Sequence, residues 1–445
     1  MDNEIPVDFS NVLEGAATDQ VPLGQFKSVM LKQGTRLSWN SRNSGILSMT
    51  TACDSRGFSR LEFSSSCGWA FGVHWDYISH AQKLRIPIPE GIHDIYLKNI
   101  TGDGDVWVVA EAPLSPKFIQ LDSELGIRKQ ASLGKLREES FCQFGWMGGC
   151  VLEGMVEQAK KSPDKNWEDA IKLWLSRYLD ERSLSYQNAR GQKVNNRFTG
   201  IEVTLPVAVI ARFYPDHPSI DLAIEFWESK THSKGMIMDG NLISAEGNYT
   251  VAYPMAIISK LLDDSNLAQK AITQLCLRRE ALYHDSNIYL RNELGELSFK
   301  NWTRGNCWYF LGLARTLETL GKDSAPELCE HLIEVADVLI SRQRADGLWD
   351  NFLDEAGKKP DTSGSSGIGA ALVTGYRMGL LDQRATEAAK RAYIGILSHL
   401  EPDGWLGCVA PNNKRGEGEQ HGDQRTVEPF ALGLFAQLDA VIEDF

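Results

Sequence analysis

The sequence predicts a mainly α protein, an (α/α)6 toroid of six helical hairpins preceded by an amino-terminal β-sandwich. Two observations carry this expectation. Residues 1–115 alternate apolar and polar side chains with the two-residue period of half-buried strands, punctuated by Gly and Asn. Beyond residue 137 the apolar residues recur at helical spacing to the end of the chain, without the fixed-period repeat that a solenoid carries. Three regions follow: a β-sandwich-like domain over 1–115, a linker over 116–136, and a helical barrel over 137–445.

In the first region the alternation marks strands near 36–39, 46–50, 61–63, 83–88, 94–98 and 105–109, the density of short strands that a small sandwich requires. Trp69, His74, Trp75 and Tyr77 could form a sugar-stacking surface there. Their strand period points most of them inward, which favours a packing role. The linker, with Pro113, Pro116 and a charged stretch, leaves room for a short helix. The barrel shows helical segments near 141–160, 166–180, 202–214, 217–229, 249–263, 266–282, 304–320, 326–343, 364–378, 383–399 and 425–441. That makes eleven of the twelve helices a six-hairpin toroid needs. Two hairpin ends share an Asp-Gly turn followed by an aromatic residue, Asp346-Gly347 with Trp349 and Asp403-Gly404 with Trp405. Such a turn stops a helix, and its Trp either rims a cleft or plugs the hairpin end.

The chain of 445 residues is long enough for a large core, and its 42% hydrophobic and 24% charged residues are ordinary globular values. A net charge of −13 argues against nucleic acid as a partner, because phosphate binding needs a basic surface. An anionic substrate must then be drawn in by local Arg and His. There is no positive, apolar leader at the amino terminus and no run of 18 apolar residues, so a soluble cytoplasmic protein without a membrane partner is expected. The eight cysteines lack C-x-x-C spacing, which argues against zinc and redox motifs. Cys53 and Cys67 are expected as free thiols in that compartment. No H-E-x-x-H and no phosphate loop is present, so no cofactor or metal is expected. A homo-oligomer is left open.

The run Trp302-Thr303-Arg304-Gly305-Asn306-Cys307-Trp308-Tyr309 places a guanidinium between two indoles where a helix begins. Arg offers a planar fork for a carboxylate and Trp an apolar face for a pyranose ring, so the run suits a sugar acid. The plainer alternative is an Arg that caps a turn between two core Trp. Together with Tyr283-His284 upstream, the run resembles the W-x-R-G-N-G-W segment of glycoside hydrolase families 88 and 105, the unsaturated uronyl hydrolases. The resemblance covers roughly residues 137–440, with Cys307 standing where those families usually have Gly. Cys307 reads as a packing residue, since no base lies near it in sequence.

This resemblance implies a divergent six-hairpin glycosidase, and it directs attention to the acids that open apolar helices. Glu246, in Ser244-Ala245-Glu246-Gly247-Asn248-Tyr249, falls where the families carry a catalytic Asp, and Glu202, four residues before Pro206, falls where they carry a second. Asp239 is the alternative match if the loop is aligned differently. Glu in place of Asp moves a carboxylate by roughly 1 Å, so the backbone must adjust. A helix amino terminus lowers a carboxyl pKa, whereas an apolar pocket and a like charge raise it, and a general acid needs the raising effects to win.

The resemblance further implies a substrate set of His284, Trp302, Arg304, Trp308 and Ser366. His421, Arg425 and Glu428 form a polar cluster just before the last helix, expected to bind the leaving sugar. The expected activity is exo-acting removal of a terminal uronic acid, a 4,5-unsaturated one in those families, from an oligosaccharide. Three other readings stand beside it. They are an exo-β-glucuronidase on saturated uronides, a non-catalytic carbohydrate-binding protein and, ranked lower because paired His are few, a sugar epimerase.

Overall fold

The computed structural model describes the backbone of nine strands between residues 4 and 111 and of a helix from residue 123. It describes side chains over 128–442, apart from residues 139, 141, 163–165, 189–192, 401–403, 414–415, 419 and 423–424. The chain divides into two compact units. One comprises Met1–Gln143, Tyr186–Lys193 and Leu400–Pro429, the other Phe144–Ser185, Val194–His399 and Phe430–Phe445.

In the first unit the strands are β1 (Glu4–Asp8), β2 (Lys27–Val29), β3 (Arg36–Ser41), β4 (Gly45–Thr51), β5 (Phe58–Ser65), β6 (Val73–Ser79), β7 (Lys83–Ile88), β8 (His93–Thr101) and β9 (Val106–Glu111). They form a sheet ordered β1-β3-β8-β5-β6 and a second ordered β2-β9-β4-β7. β1 joins β3 in parallel, and β3–β8, β5–β8 and β5–β6 pair antiparallel. The six strands read from the alternation all appear, and β1, β2 and β6 are additional. β6 carries His74, Trp75 and Tyr77 at a sheet edge. The side chains of those residues, together with Trp69, Cys53 and Cys67, lie outside the described residues.

The stretch read as a linker contains a 17-residue helix, α1 (Ser123–Glu139). Gly126, Gly134 and a high density of charge blur its apolar period, which is why the sequence reads as a connector. Arg128 on α1 donates to the Leu400 carbonyl at 2.8 Å, and Leu136 is buried.

The second unit is a ring. Its inner helices are α2 (Trp146–Lys161), α4 (Val207–Phe213), α6 (Tyr253–Leu262), α8 (Thr303–Leu320), α10 (Thr362–Arg377) and α12 (Pro429–Ile442). Each of the first five is followed by an outer helix that packs on it: α3 (Lys165–Leu175), α5 (Ser219–Ser229), α7 (Ser265–Leu282), α9 (Pro326–Ser341) and α11 (Gln383–Leu397). Along the inner layer α2 contacts α4, α4 contacts α6, α6 contacts α8, and α8 contacts α10. The ring closes through α12. A Cβ on Gly369 of α10 would stand 3.0 Å from Leu438, and a Cβ on Gly154 of α2 would stand 2.5 Å from the Gly433 carbonyl oxygen. α2 and α12 therefore cross where both lack side chains, and Gln158 bridges the same crossing by donating to the Ala436 carbonyl at 2.9 Å. All eleven helical segments expected from the period are present. None of the described helices is long and apolar enough to cross a membrane.

The ring also holds strands that helical periodicity conceals. β10 (Leu242–Ser244) precedes α6, and β11 (Tyr283–His284), β12 (Asn287–Glu293) and β13 (Glu296–Lys300) separate α7 from α8. β12 and β13 turn through Leu294 and Gly295 at φ 54° and 96°, the left-handed pair of a tight hairpin. The helical period on either side masks the two-residue period of these strands.

Candidate active site

The starts of α2, α8 and α12 meet, Trp146 packing on both Trp308 and Phe430, and several of the polar and aromatic candidates stand at or just before inner-helix starts. β10 leads into a turn that presents Glu246. Ser244 Oγ accepts from the Glu246 backbone N–H at 3.2 Å and donates to its Oε2 at 3.2 Å. Glu202 sits in the 3-10 turn Ile201–Val203 ahead of α4. Both carboxylates are half-buried. Among the described residues Glu202 receives no side-chain hydrogen bond, which leaves its carboxylate to water or substrate.

Burial, and after it the neighbouring Glu202 carboxylate, push the Glu246 carboxyl above its ordinary range, against the opposing pull of Arg291, Ser244 and Arg304. The raising effects win, as a general acid requires.

Asp239 has another task. Its Oδ2 accepts from the Ile201 backbone N–H at 2.8 Å and its Oδ1 pairs with Lys230 at 3.1 Å, so it caps the turn that carries Glu202. The other face of that turn is set by Gly145, at φ 138°, whose missing Cβ would lie 3.5 Å from the Glu202 carbonyl oxygen. A side chain there would be strained whatever the space.

Arg278, from α7, anchors the Glu246 loop from below. It is fully buried and donates from Nε to the Ser244 carbonyl at 3.0 Å, from Nη2 to the Ile237 carbonyl at 2.6 Å and from Nη1 to Gln274 Oε1 at 2.9 Å. A Cβ on Gly247 would run into this guanidinium at 2.2 Å, so the residue after the acid has no room for one.

The W-x-R-G-N-x-W run opens α8 and forms a wall. Trp302 is its N-cap residue, its indole N–H donating to Asn351 Oδ1 at 3.1 Å. Arg304 is only 2% exposed, with its guanidinium 4.7 Å from the Trp302 ring centre and 5.2 Å from that of Phe430. Trp308 is 4% exposed and stacked on Tyr249 at 6.0 Å and 8°, so one of its faces is already covered. Trp146 at the start of α2 packs edge-on against both Phe430, at 4.7 Å, and Trp308, at 5.4 Å, and is itself half-exposed. Of this wall, Trp146 is the indole that keeps exposed surface.

His284 and Ser366 are not brought to this cluster by any described contact. His284 is exposed at the tip of the β11–β12 hairpin, its ring 3.3 Å from the Ala281 carbonyl. Ser366 is buried in α10 and donates to the Thr362 carbonyl of its own helix at 2.8 Å. Ser365 Oγ accepts from the Trp349 backbone N–H at 3.1 Å. His421, Arg425 and Glu428 belong to the first unit, where Arg425 donates to the Gly422 carbonyl at 3.0 Å. Trp349 and Trp405 are fully buried plugs. Cys307 is fully buried, and burial followed by the charge of Asp361 pushes its thiol far above the ordinary range, the packing role expected of it. Among the described residues no group of three or more His, Cys, Asp or Glu could hold a metal ion.

Sequence reading missed Trp146, Phe430, Arg278 and Arg291. The Gly145-Trp146 pair at the start of the first apolar helix was a usable signal. Arg291 had none, because only the pairing of β10 with β12 sets it opposite Ser244.

The family model for Glycosyl Hydrolase Family 88 matches residues 127–443. An unsaturated rhamnogalacturonyl hydrolase of Bacillus subtilis (strain 168) is 19% identical over 315 residues, 65% of this chain and 87% of that protein. A solved family 105 glycoside hydrolase from C. acetobutylicum shares the fold with a TM-score of 0.62 at 20% identity, over 73% of this chain and 100% of that one. The unsaturated glucuronyl hydrolase of Bacillus sp. GL1 is similar with a TM-score of 0.52 at 14% identity, over 72% of this chain and 94% of that one. Because the family match spans residues 127–443, well over half of the chain, this chain belongs to glycosyl hydrolase family 88 and is a glycoside hydrolase.

Proposed function

We propose that the enzyme acts from the non-reducing end of an oligosaccharide and releases a terminal 4,5-unsaturated uronic acid. The observation that carries this reading is Glu246, a half-buried carboxyl held above its ordinary pKa beside a second carboxylate and two guanidinium groups. The names of the two relatives, which act on unsaturated rhamnogalacturonyl and glucuronyl substrates, support the substrate class.

The chemistry is hydration of an enol ether. Glu246 gives its proton to C4 of the ring, the double bond's electrons forming the new C–H bond and leaving an oxocarbenium-like centre at C5. Water adds at C5, and the proton it loses returns to the Glu246 carboxylate. The resulting hemiketal opens, and the next sugar leaves from C1. Glu202 raises the acid's pKa and orients the water. Arg304 lends positive charge to the wall behind the substrate carboxylate, and Trp146 is the platform on which the ring lies.

Incubation with matched unsaturated and saturated uronyl oligosaccharides tests this. The expected result is loss of the ultraviolet absorbance of the conjugated double bond, with no turnover of the saturated series. Release of free glucuronic acid from saturated substrates at unchanged absorbance would replace this reading with direct glycosidic hydrolysis.

A further inference from the structure

Arg291 is a cation in an unusual position. It lies on β12 directly opposite Ser244 of β10, two residues before Glu246 in the chain, and its charge reaches the Glu246 carboxyl. With two glutamates nearby it forms no ion pair within 4 Å and no side-chain hydrogen bond with the described residues. Its guanidinium rests 4.9 Å from the Phe299 ring centre on the neighbouring strand β13, and the side chain is half-exposed. Stacking on a ring fixes the guanidinium plane while leaving its edge donors free for a planar anion. Arg304 is enclosed between Trp302 and Phe430 at 2% exposure, so it presents far less of itself to a ligand.

We propose that Arg291 is a substrate-binding residue that grips the carboxylate of the terminal sugar beside Glu246, with Arg304 as a second, buried charge. The proposal rests on the uronide reading above. It assigns the selection of an acid over its neutral ester to the β12–β13 hairpin rather than to the helix motif alone. A cation laid on an aromatic ring, with no ion-pair partner among the described residues, gains one when the substrate arrives. The fork then supplies two parallel charge-assisted hydrogen bonds.

The test compares a terminal uronyl disaccharide with its methyl ester, which keeps the ring and the double bond but removes the charge. Turnover of the acid by the wild-type enzyme checks the uronide reading by itself. If only saturated uronides are turned over, the same acid and ester pair is used in that series. In Arg291→Gln, kcat/KM for the acid is expected to fall about ten- to a hundredfold, mostly through KM, while the ester changes about twofold or less. Arg291→Lys keeps charge and stem but loses the fork, and should lie between wild type and Gln on the acid alone. It supplies the comparison if the Gln variant does not fold. An equal fall on acid and ester in either variant, or an alkaline limb moved upward with the acid-to-ester ratio unchanged, overturns the proposal. Arg291 would then act only on the Glu246 proton.

Discussion

Glu246 is a carboxyl over which its surroundings compete. Burial and the adjacent Glu202 raise its pKa, while Arg291, Ser244 and Arg304 oppose the rise. A carboxyl raised in the folded state favours the fold below its unfolded pKa, and that favour is lost as pH rises through the folded value. At neutral pH Glu246 is therefore a cost to stability. Glu246→Gln keeps the shape and removes the charge, so its Tm at pH 7 is expected to exceed that of wild type while kcat falls by about 10²–10⁴. Near-normal turnover in that variant would remove Glu246 from the acid role. Collapse in Asp239→Asn would not move that role to Asp239, whose carboxylate holds the Ile201 N–H and Lys230. Removing a like charge lowers the pKa of the acid that remains. In Glu202→Gln the alkaline limb of kcat/KM is accordingly expected at lower pH, and a limb that stays in place would show that the two carboxylates are not neighbours in the working enzyme. Both carboxylates were singled out in the sequence because each stands shortly before an apolar helix, where the structure also places them. What the sequence could not show was which indole stays open: Trp308 stands in the motif, yet Tyr249 covers its face and Trp146 does not share its burial.

At the scale of an element, the loop between β10 and α6 is held by a helix that follows it in the chain. Arg278 of α7 satisfies the Ser244 and Ile237 carbonyls, and burial lowers its pKa to about 9 because no carboxylate faces it among the described residues. Arg278→Met would leave both carbonyls without that donor, at about 1–3 kcal/mol each. Chemical denaturation is expected to show that loss and kinetics a lowered kcat, since the acid's backbone is no longer fixed; a variant with wild-type stability would mean that the loop is anchored elsewhere. The helices themselves were legible from their period. The hairpin of β12 and β13 was not, since two short strands cannot outweigh the helical pattern around them. A similar pairing explains Cys307: a Cβ on Gly367 of α10 would stand 2.2 Å from its sulfur, so the bulk added on α8 is accommodated by a Gly on α10.

For the ring as a whole, closure depends on polar contacts inside the helical layer as well as on apolar packing. Glu153 of α2 pairs with Arg212 of α4 at 2.7 Å and accepts from Tyr253 Oη of α6 at 2.7 Å, while Glu157 pairs with Arg315 of α8 at 3.3 Å. Burial alone would raise the Glu157 pKa, but Arg315, Lys160 and Arg212 outweigh it and hold the carboxyl down at about 2. A lowered carboxyl contributes stability above its unfolded pKa, and that contribution is lost as pH falls from the ordinary value of 4.5 toward about 2. Glu157→Gln breaks a buried pair and should cost about 3–5 kcal/mol at neutral pH. Denaturation of wild type and variant across that acid range is expected to show the difference shrinking as pH falls, and a difference constant with pH would assign it to packing rather than charge.

By itself the sequence determined the change from strand to helix after the amino-terminal region, the eleven helical segments of the ring and the place of Glu202 and Glu246 just ahead of two of them. Each of these rests on residues within a few turns of one another, where periodicity and short motifs carry the information. Tertiary structure decided the rest. Strand pairing brought Arg291 opposite Ser244, closure of α12 onto α2 set Phe430 against Trp146, and the packing of α7 placed Arg278 against the loop that carries Glu246. Those partners stand far apart in the chain, and no local pattern records them. Only the closed ring fixes which side chains are enclosed as wall and which keep an exposed surface.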